Sequence, residues 1–148
     1  MDRGSLTAGL VKVIMESGNL VPNWLVIAAV SDELKDRLKA ETHLLFDGFP
    51  RNLEQADALE DIISFYKRTE LTVVYLDIPE AIIRQRLEDR LRSDDVKQVI
   101  DRRLELYHRY TKPVIDYYQN RPKTNFVKVD GTGSVEEVYT DIKAGLNS

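Results

Sequence analysis

The stretch LLFDGFPRNLEQ, residues 44–55, decides the fold class and points to the functional site. The apolar run His43–Phe46 at its start is typical of a buried strand, because it is short and an Asp-Gly turn follows it. In the next loop, Gly48 lets the backbone approach a ligand closely, and Arg51 offers a planar fork that suits a phosphate. Gln55 lies one helical turn later and presents a donor and an acceptor together, the pattern that reads an adenine edge. A plain turn before a surface helix explains the same residues equally well.

Strands and helices alternate along the rest of the chain. Further strands are predicted over Leu71–Leu76 and Asn125–Val129. Because strands that alternate with helices form parallel sheets covered on both faces, the pattern predicts an α/β fold. Ligands in such sheets bind beyond the carboxyl ends of the strands, here residues 47–51, 77–79 and 130–133. Helices are predicted over Leu6–Ser17, Asn23–Ala40, Leu53–Arg68, Pro79–Arg90 and Asp94–Arg121, the last divided by Pro113, and a final helix starts at the capping box Ser134–Glu137.

The composition sets the broad class of the protein. Its 148 residues fit one domain, and 43% hydrophobic with 31% charged residues is the balance of an ordinary soluble globule. No apolar run approaches the ~20 residues that span a bilayer, so we expect no membrane partner. The net charge of −4 argues against a nucleic-acid partner. The absence of cysteine excludes disulfides, thiol catalysis and structural zinc, and with no export leader it predicts a cytoplasmic protein.

The string LLFDGFPRNLEQ resembles the signature of the adenylate kinase family of nucleoside monophosphate kinases. It agrees with the family pattern at every defining position, from the apolar run through Asp47 and Arg51 to Gln55. The resemblance extends over the rest of the chain without a large gap. The other segments that resemble the family are Ile14–Pro22, Asp77–Pro79, Arg86–Arg90, Arg92–Asp95, Arg103–Tyr107, Thr111–Ile115 and Val129–Gly131.

The resemblance implies a fold and a reaction. The fold is a three-layer α/β/α parallel sheet of the P-loop nucleoside monophosphate kinase type. The enzyme is a transferase of nucleotide biosynthesis that moves a phosphoryl group reversibly from ATP to AMP, giving two ADP. The implied partners are therefore AMP, ATP and ADP, the implied cofactor is Mg²⁺ carried with ATP and not zinc, and the complete protein is expected to be a monomer.

The resemblance also implies the acceptor site. It puts Arg51 on the phosphate of AMP and Gln55 on its base. UMP/CMP kinases usually carry Asn where this chain has Gln55, which favours AMP. Asp47, at the end of the predicted strand, is well placed either to reach Mg²⁺ through water or to make an organising hydrogen bond. For Leu20 and Val21, simple helix–turn–helix packing is an equally good explanation. The full set of implied AMP-binding residues is Asn19, Leu20, Val21, Gly48, Phe49, Pro50, Arg51, Gln55, Arg92 and Arg103.

Four arginines are candidates for the chemistry itself. Arg86 and Arg90 lie at i and i+4 on one predicted helix face, while Arg92 and Arg103 follow. Phosphoryl transfer spreads negative charge over equatorial oxygens, which converging arginines can neutralise. An ordinary solvated charged face explains such a run as well, and the family resemblance favours catalysis by all four. It further implies that ATP is held by Arg86, Arg90 and the backbone of Gly133.

The chain departs from the family pattern in two respects: the lid between Arg90 and Asp94 is minimal, and the 148 residues contain no G-x-x-x-x-G-K-[ST] motif. We therefore expect one incomplete kinase domain, residues 1–148, that lacks an N-terminal strand–P-loop–helix unit. Residues 1–40 would belong to the monophosphate-binding subdomain, residues 41–90 and 94–148 to the core, and residues 91–93 to a minimal lid. Since no residue replaces the P-loop lysine, this chain alone is expected to be inactive or nearly so. The alternatives are a catalytically inactive AMP- or nucleotide-binding homologue, a kinase of the UMP/CMP type, and a structural interaction module.

Overall fold

The computed structural model describes residues 4–68, 70–90 and 96–147. Three helices precede the first strand in these ranges, further helices lie between the two strands, and a last helix follows the second strand. No helix found there is long and apolar enough to cross a membrane. The elements are α1 (Leu6–Glu16), α2 (Asn23–Arg37), α3 (Leu53–Phe65), β1 (Leu71–Asp77), α4 (Glu80–Asp89), α5 (Lys97–Leu106), a π-helical turn (Tyr107–Thr111), α6 (Lys112–Asn120), β2 (Thr124–Asp130) and α7 (Val135–Leu146).

The two strands pair in parallel over their whole length, from Leu71 opposite Thr124 to Asp77 opposite Asp130. Each is one or two residues longer than its sequence prediction. Along β1 the burial alternates, as expected where side chains point to opposite faces in turn. A parallel pair needs a long crossover, which helices α4 to α6 supply between the strands. The α/β prediction is therefore confirmed.

Helices cover both faces of this pair. On one face, Ala56 of α3 packs with Val114 and Tyr118 of α6, and this buried cluster lies against Val73 and Phe126 of the strands. On the other face, α7 approaches β2 so closely that a Cβ at Gly145 would lie 2.3 Å from Val127 Cγ1. The strand alternation assigns Phe126 and Val127 to opposite faces, so the layers run helix, sheet, helix.

The predicted strand His43–Phe46 is wrong. The segment has no ladder partner, because β1 pairs only with β2 among the residues described. Leu45 is 96% exposed, although the sequence pattern places it in a buried strand. A strand needs a neighbour whose backbone takes up its N–H and C=O groups, and apolar composition cannot supply one. The ring of Phe46 instead packs 5.8 Å from that of Phe49.

Helix boundaries differ from the predictions where the backbone changes direction. Helix α2 ends at Arg37 rather than Ala40, and α3 ends at Phe65 rather than Arg68. The long helix predicted over Asp94–Arg121 is divided, as expected, near Pro113, which lacks a backbone N–H. A π-helical turn precedes that proline and separates α5 from α6. The predicted start at Asp94 lies outside the described residues.

Candidate functional site

The loop after residue 46 is fixed to the start of α3 by local hydrogen bonds. Asn52 caps α3, and its Oδ1 accepts a hydrogen bond from the backbone N–H of Gln55 at 2.9 Å. The backbone N–H of Arg51 donates to Gln55 Oε1 at 2.8 Å. The Arg51 side chain folds over Gly48, with its Nε donating to the Gly48 carbonyl at 2.7 Å. The four N–H groups on the two Nη atoms of Arg51 remain on an exposed side chain, where an anion can reach them.

Gly48 makes this fold of the arginine possible. Its backbone is in the left-handed region, with φ of 67°. A Cβ at Gly48 would lie 2.8 Å from Arg51 Nη2, closer than atoms can pack. The left-handed backbone favours glycine at this position, and a side chain there would push the flexible end of Arg51 aside, whereas the sequence pattern pointed to ligand approach alone.

Gln55 is buried, with 2% of its surface exposed. Besides accepting from Arg51, its Nε2 donates to Asn23 Oδ1 at 2.9 Å. These bonds use two of its hydrogen-bonding valences and leave one N–H and one lone pair, which a ligand would reach only once the residues that bury Gln55 move aside. Sequence reasoning found Gln55 but missed Asn23, because the two residues are 32 positions apart and only the packing of α2 on α3 joins them.

The loop between α1 and α2 lies against α5. Gly18 is buried, has φ of 75°, and comes so close that a Cβ there would lie 3.0 Å from the Val99 carbonyl oxygen and 3.4 Å from Arg103 Cγ. Asn19 Oδ1 accepts a hydrogen bond from Arg102 Nε at 2.9 Å. The loop that carries the predicted residue Asn19 thus lies against the helix that carries the predicted residue Arg103, and Arg102, which is not among the predicted site residues, makes the hydrogen bond.

Arg86 and Gly133, both predicted at the ATP end, are also brought together. Arg86 Nη1 donates to the carbonyl oxygen of Gly131 at 2.7 Å, and Nη2 donates to those of Thr132 at 2.8 Å and Gly133 at 3.3 Å. The arginine therefore holds the loop that follows β2. In this arrangement its Nη2 hydrogens are both used by the protein, while Nε and one Nη1 hydrogen can still donate elsewhere.

Two other predicted arginines lie at or beyond the end of α4. Arg90 is the exposed residue that ends the helix. Arg92, with the predicted lid of residues 91–93, lies outside the described residues. The approach of Arg86 and Arg103 to Arg92 is therefore still a prediction.

Each strand ends in an aspartate, at the carboxyl end where ligands were expected. Asp77 of β1 and Asp130 of β2 are paired in register. A hydrogen bond from Lys128, 2.7 Å away, holds the pKa of Asp77 below its usual range. Hydrogen bonds from Thr132 lower the pKa of Asp130 in the same way. Both carboxylates therefore stay ionised and partnered near neutral pH.

An open groove of about 510 Å³ runs beside Gly133 along α7. Its wall is acidic, with Asp130, Glu136, Glu137 and Asp141 all lining it. Such a wall repels phosphates but tolerates an uncharged ring. The groove is therefore compatible with the base end of a nucleotide at Gly133, and not with its phosphates.

Asp47, predicted to reach Mg²⁺ through water, is exposed at the end of the extended segment. No cluster of three His, Asp or Glu side chains that could cage a metal occurs in residues 4–68, 70–90 and 96–147. Mg²⁺ often keeps several waters and binds through one carboxylate plus substrate phosphates, so an exposed aspartate fits such a role without a cage.

Comparison with known proteins adds an independent line of evidence. The family model described as adenylate kinase matches residues 1–123. An adenylate kinase of Thermus thermophilus is 38% identical over 148 residues, covering 97% of this chain and 75% of its own length. An adenylate kinase of a Synechococcus species is 41% identical over 143 residues, covering 97% and 76%. Adenylate kinase 1 of a Nostoc species is 40% identical over 134 residues, covering 90% and 71%. With the parallel strands and the loop at Arg51, these matches show that the chain belongs to the adenylate kinase family.

Proposed function

We propose that this chain serves the reversible transfer of a phosphoryl group from ATP to AMP, giving two ADP, as a nucleotide-biosynthesis enzyme of the cytoplasm. The observation that carries the proposal is the contact between Arg51 and Gln55 at the start of α3. The backbone N–H of Arg51 donates a 2.8 Å hydrogen bond to the side-chain oxygen of Gln55. Arg51 offers the N–H groups of its guanidinium, and Gln55 offers one donor and one acceptor on its amide. This pair suits a ligand with a phosphate at one end and a purine edge at the other.

At the acceptor end, Arg51 holds the phosphate of AMP, and Gln55 reads its base. Residues Gly48, Phe49 and Pro50 shape the loop between them, and the segment Asn19–Val21 lines the opposite wall. The contact of Asn19 with Arg102 supports this placement, because it ties that segment to α5, which carries Arg103.

At the transfer end, Arg86, Arg90, Arg92 and Arg103 neutralise the charge on the transferred group, and the backbone of Gly133 contacts the base of ATP. Support comes from the hydrogen bonds of Arg86 to residues 131–133, which put its charge beside Gly133. Mg²⁺ bound with ATP would supply positive charge that offsets the negative charge of the phosphates. Asp47 would hold a water of that ion.

The chain is further proposed to divide as the family does. Residues 1–40 belong to the monophosphate-binding subdomain, residues 41–90 and 94–148 to the core, and residues 91–93 to a minimal lid. Because the 148 residues contain no G-x-x-x-x-G-K-[ST] motif, the second candidate function is AMP binding without transfer. The 148-residue polypeptide should then bind AMP but form little or no ADP from ATP and AMP, and the complete protein should be a monomer.

Calorimetry with AMP and adenosine tests the acceptor site. Arg51→Ala should weaken AMP binding about tenfold or more, as expected for a lost charge-assisted contact. Adenosine lacks the phosphate, so its affinity should change little. Arg37→Ala is the matched control, since Arg37 pairs with Glu33 on the exposed side of α2. The proposal is wrong if AMP does not bind, or if Arg51→Ala and Arg37→Ala bind it equally well. Tighter binding of UMP or CMP than of AMP would favour the UMP/CMP type.

A further inference from the structure

Three amide side chains meet between the starts of α2 and α3. Asn23 Oδ1 accepts two hydrogen bonds, one from Asn52 Nδ2 at 2.7 Å and one from Gln55 Nε2 at 2.9 Å. Asn23 Nδ2 in turn donates to Glu54 Oε2. We call Asn23, Asn52 and Gln55 the amide triad.

The direction of every bond in the amide triad is set by groups that have only one polarity. The backbone N–H of Arg51 can only donate, so the Gln55 atom facing it at 2.8 Å must be Oε1. The backbone N–H of Gln55 can only donate, so Asn52 must turn Oδ1 toward it and Nδ2 toward Asn23. Asn23 therefore has to present Oδ1 to the triad, which requires Gln55 to turn Nε2 toward it.

The hydrogen bond between Asn23 and Glu54 requires the same orientation of the Asn23 amide. An ionised carboxylate only accepts, so Glu54 requires Asn23 to present Nδ2 on its other side. Two backbone N–H groups and one carboxylate therefore each require the same assignment of donors and acceptors in the amide triad. Flipping any one amide of the triad would set two donors or two acceptors against each other.

We propose that Asn23 is a specificity-determining positioning residue that, together with the backbone N–H of Arg51, holds the amide of Gln55 in one orientation and so selects the base of the nucleotide. The inference deepens the proposed function and rests on Gln55 reading the base. The one N–H and one lone pair that Gln55 has left then stand in a fixed order. That order matches adenine, whose 6-amino group donates beside a ring nitrogen that accepts. Hypoxanthine puts a carbonyl acceptor where adenine has its amino donor, and a site with fixed polarity rejects it.

AMP and IMP therefore form the discriminating pair of ligands, and the measured quantity is the ratio of their dissociation constants. The unmodified chain should prefer AMP about tenfold or more, the factor that one mismatched hydrogen bond gives. In Asn23→Ala, Gln55 loses one of its two anchors and keeps only the backbone N–H of Arg51, so its amide is held less firmly and the ratio should fall. In Asn23→Asp combined with Glu54→Gln, a carboxylate oxygen still accepts from Gln55 and Asn52, and the new amide at residue 54 donates to the other oxygen, so the preference for AMP should be kept. Asn120→Ala, on α6 outside the triad, is the matched control and should leave the ratio unchanged.

The ratio distinguishes positioning from mere damage to the fold. A variant with a smaller competent population weakens AMP and IMP by the same factor, which cancels in the ratio. A measurement without ligand tests the positioning role directly. The side-chain NH₂ protons of Gln55 should exchange with water at least about ten times more slowly in the unmodified chain than in Asn23→Ala.

The outcomes separate this inference from the proposed function. If the chain binds AMP but Asn23→Ala keeps the unmodified ratio, the inference is overturned and the proposed function stands. Loss of the ratio in the Asn23→Asp, Glu54→Gln double variant as well, or unprotected Gln55 protons in the unmodified chain, would also overturn it. If neither nucleotide binds while those protons are protected, the proposed function fails, and the base-selecting role falls with it.

Discussion

Arg86 donates a 2.7 Å hydrogen bond to the carbonyl oxygen of Gly131, a residue 45 positions later in the chain. The same guanidinium bonds the next two carbonyls, those of Thr132 and Gly133. An arginine that the sequence offered for catalysis therefore also holds the loop after β2 in place. If Arg86 contacts a bound nucleotide, it does so either with its remaining N–H groups or by releasing this loop.

Replacing Arg86 should loosen the loop of residues 131–133. We expect Arg86→Ala to lower the free energy of unfolding by about 1 kcal/mol, because three carbonyls lose a charged donor at a partly exposed site. Arg86→Lys should recover little, since a single ammonium cannot match the fork. Urea titration gives the stability, and amide exchange at Thr132 and Gly133 locates the change. An Arg86→Ala variant as stable as Arg37→Ala, with unchanged exchange at these amides, would contradict the holding role.

Gly18 and Gly9 form a matched pair of glycines. Gly18→Ala forces a side chain into a left-handed backbone and against the Val99 carbonyl, so we expect a loss of about 2 kcal/mol in the free energy of unfolding. Gly9 lies inside α1 with nothing within 4 Å of the new methyl group, so Gly9→Ala should stabilise by about 0.5–1 kcal/mol. Denaturation followed by circular dichroism checks both. Shifts of the same sign would refute the account of the packing between Gly18 and α5.

The cross-strand pair of Asp77 and Lys128 should make the free energy of unfolding depend on pH in the acidic range. The pKa of Asp77 is lowered in the folded chain, so its contribution is present above the unfolded value of about 4 and is lost as the pH falls through the folded value. Lys128→Met should raise the pKa of Asp77 toward its usual range and make the loss of stability below about pH 4 shallower. A ¹³C titration of the carboxyl group measures this directly. Lys12→Met, which removes an exposed pair with Glu16, should leave the pKa of Asp77 unchanged.

The elements predicted best are those whose signals are local. The capping box at Ser134 and Glu137 is present, and α7 begins directly after Ser134. Strand β1 is found because its apolar run has a partner in β2. The run His43–Phe46 looks just as apolar in sequence but forms no strand, because pairing depends on a neighbour elsewhere in the fold. Local pattern therefore predicts the tendency to form a strand and not the ladder.

The site residues, too, are predictable where the signal is local in sequence and not where it depends on the fold. Arg51 and Gln55 could be found because they lie four residues apart in a recognisable string. Asn23 could not, since its role depends on α2 packing against α3, and Asn and Asp near a helix start are ordinary in any sequence. Arg102 was overlooked for the same reason, because only the fold brings its guanidinium to Asn19, 83 residues away.

The most direct test of the central claim is an AMP titration of the ¹⁵N-labelled chain followed by NMR. The account predicts saturable shifts at the backbone amides of Gly48 and Arg51 and at the side-chain amide of Gln55, with none of them in Arg51→Ala at the same AMP concentrations. Saturable shifts confined to the groove beside α7, or no saturable shift anywhere, would contradict the claim that this chain binds AMP through Arg51 and Gln55.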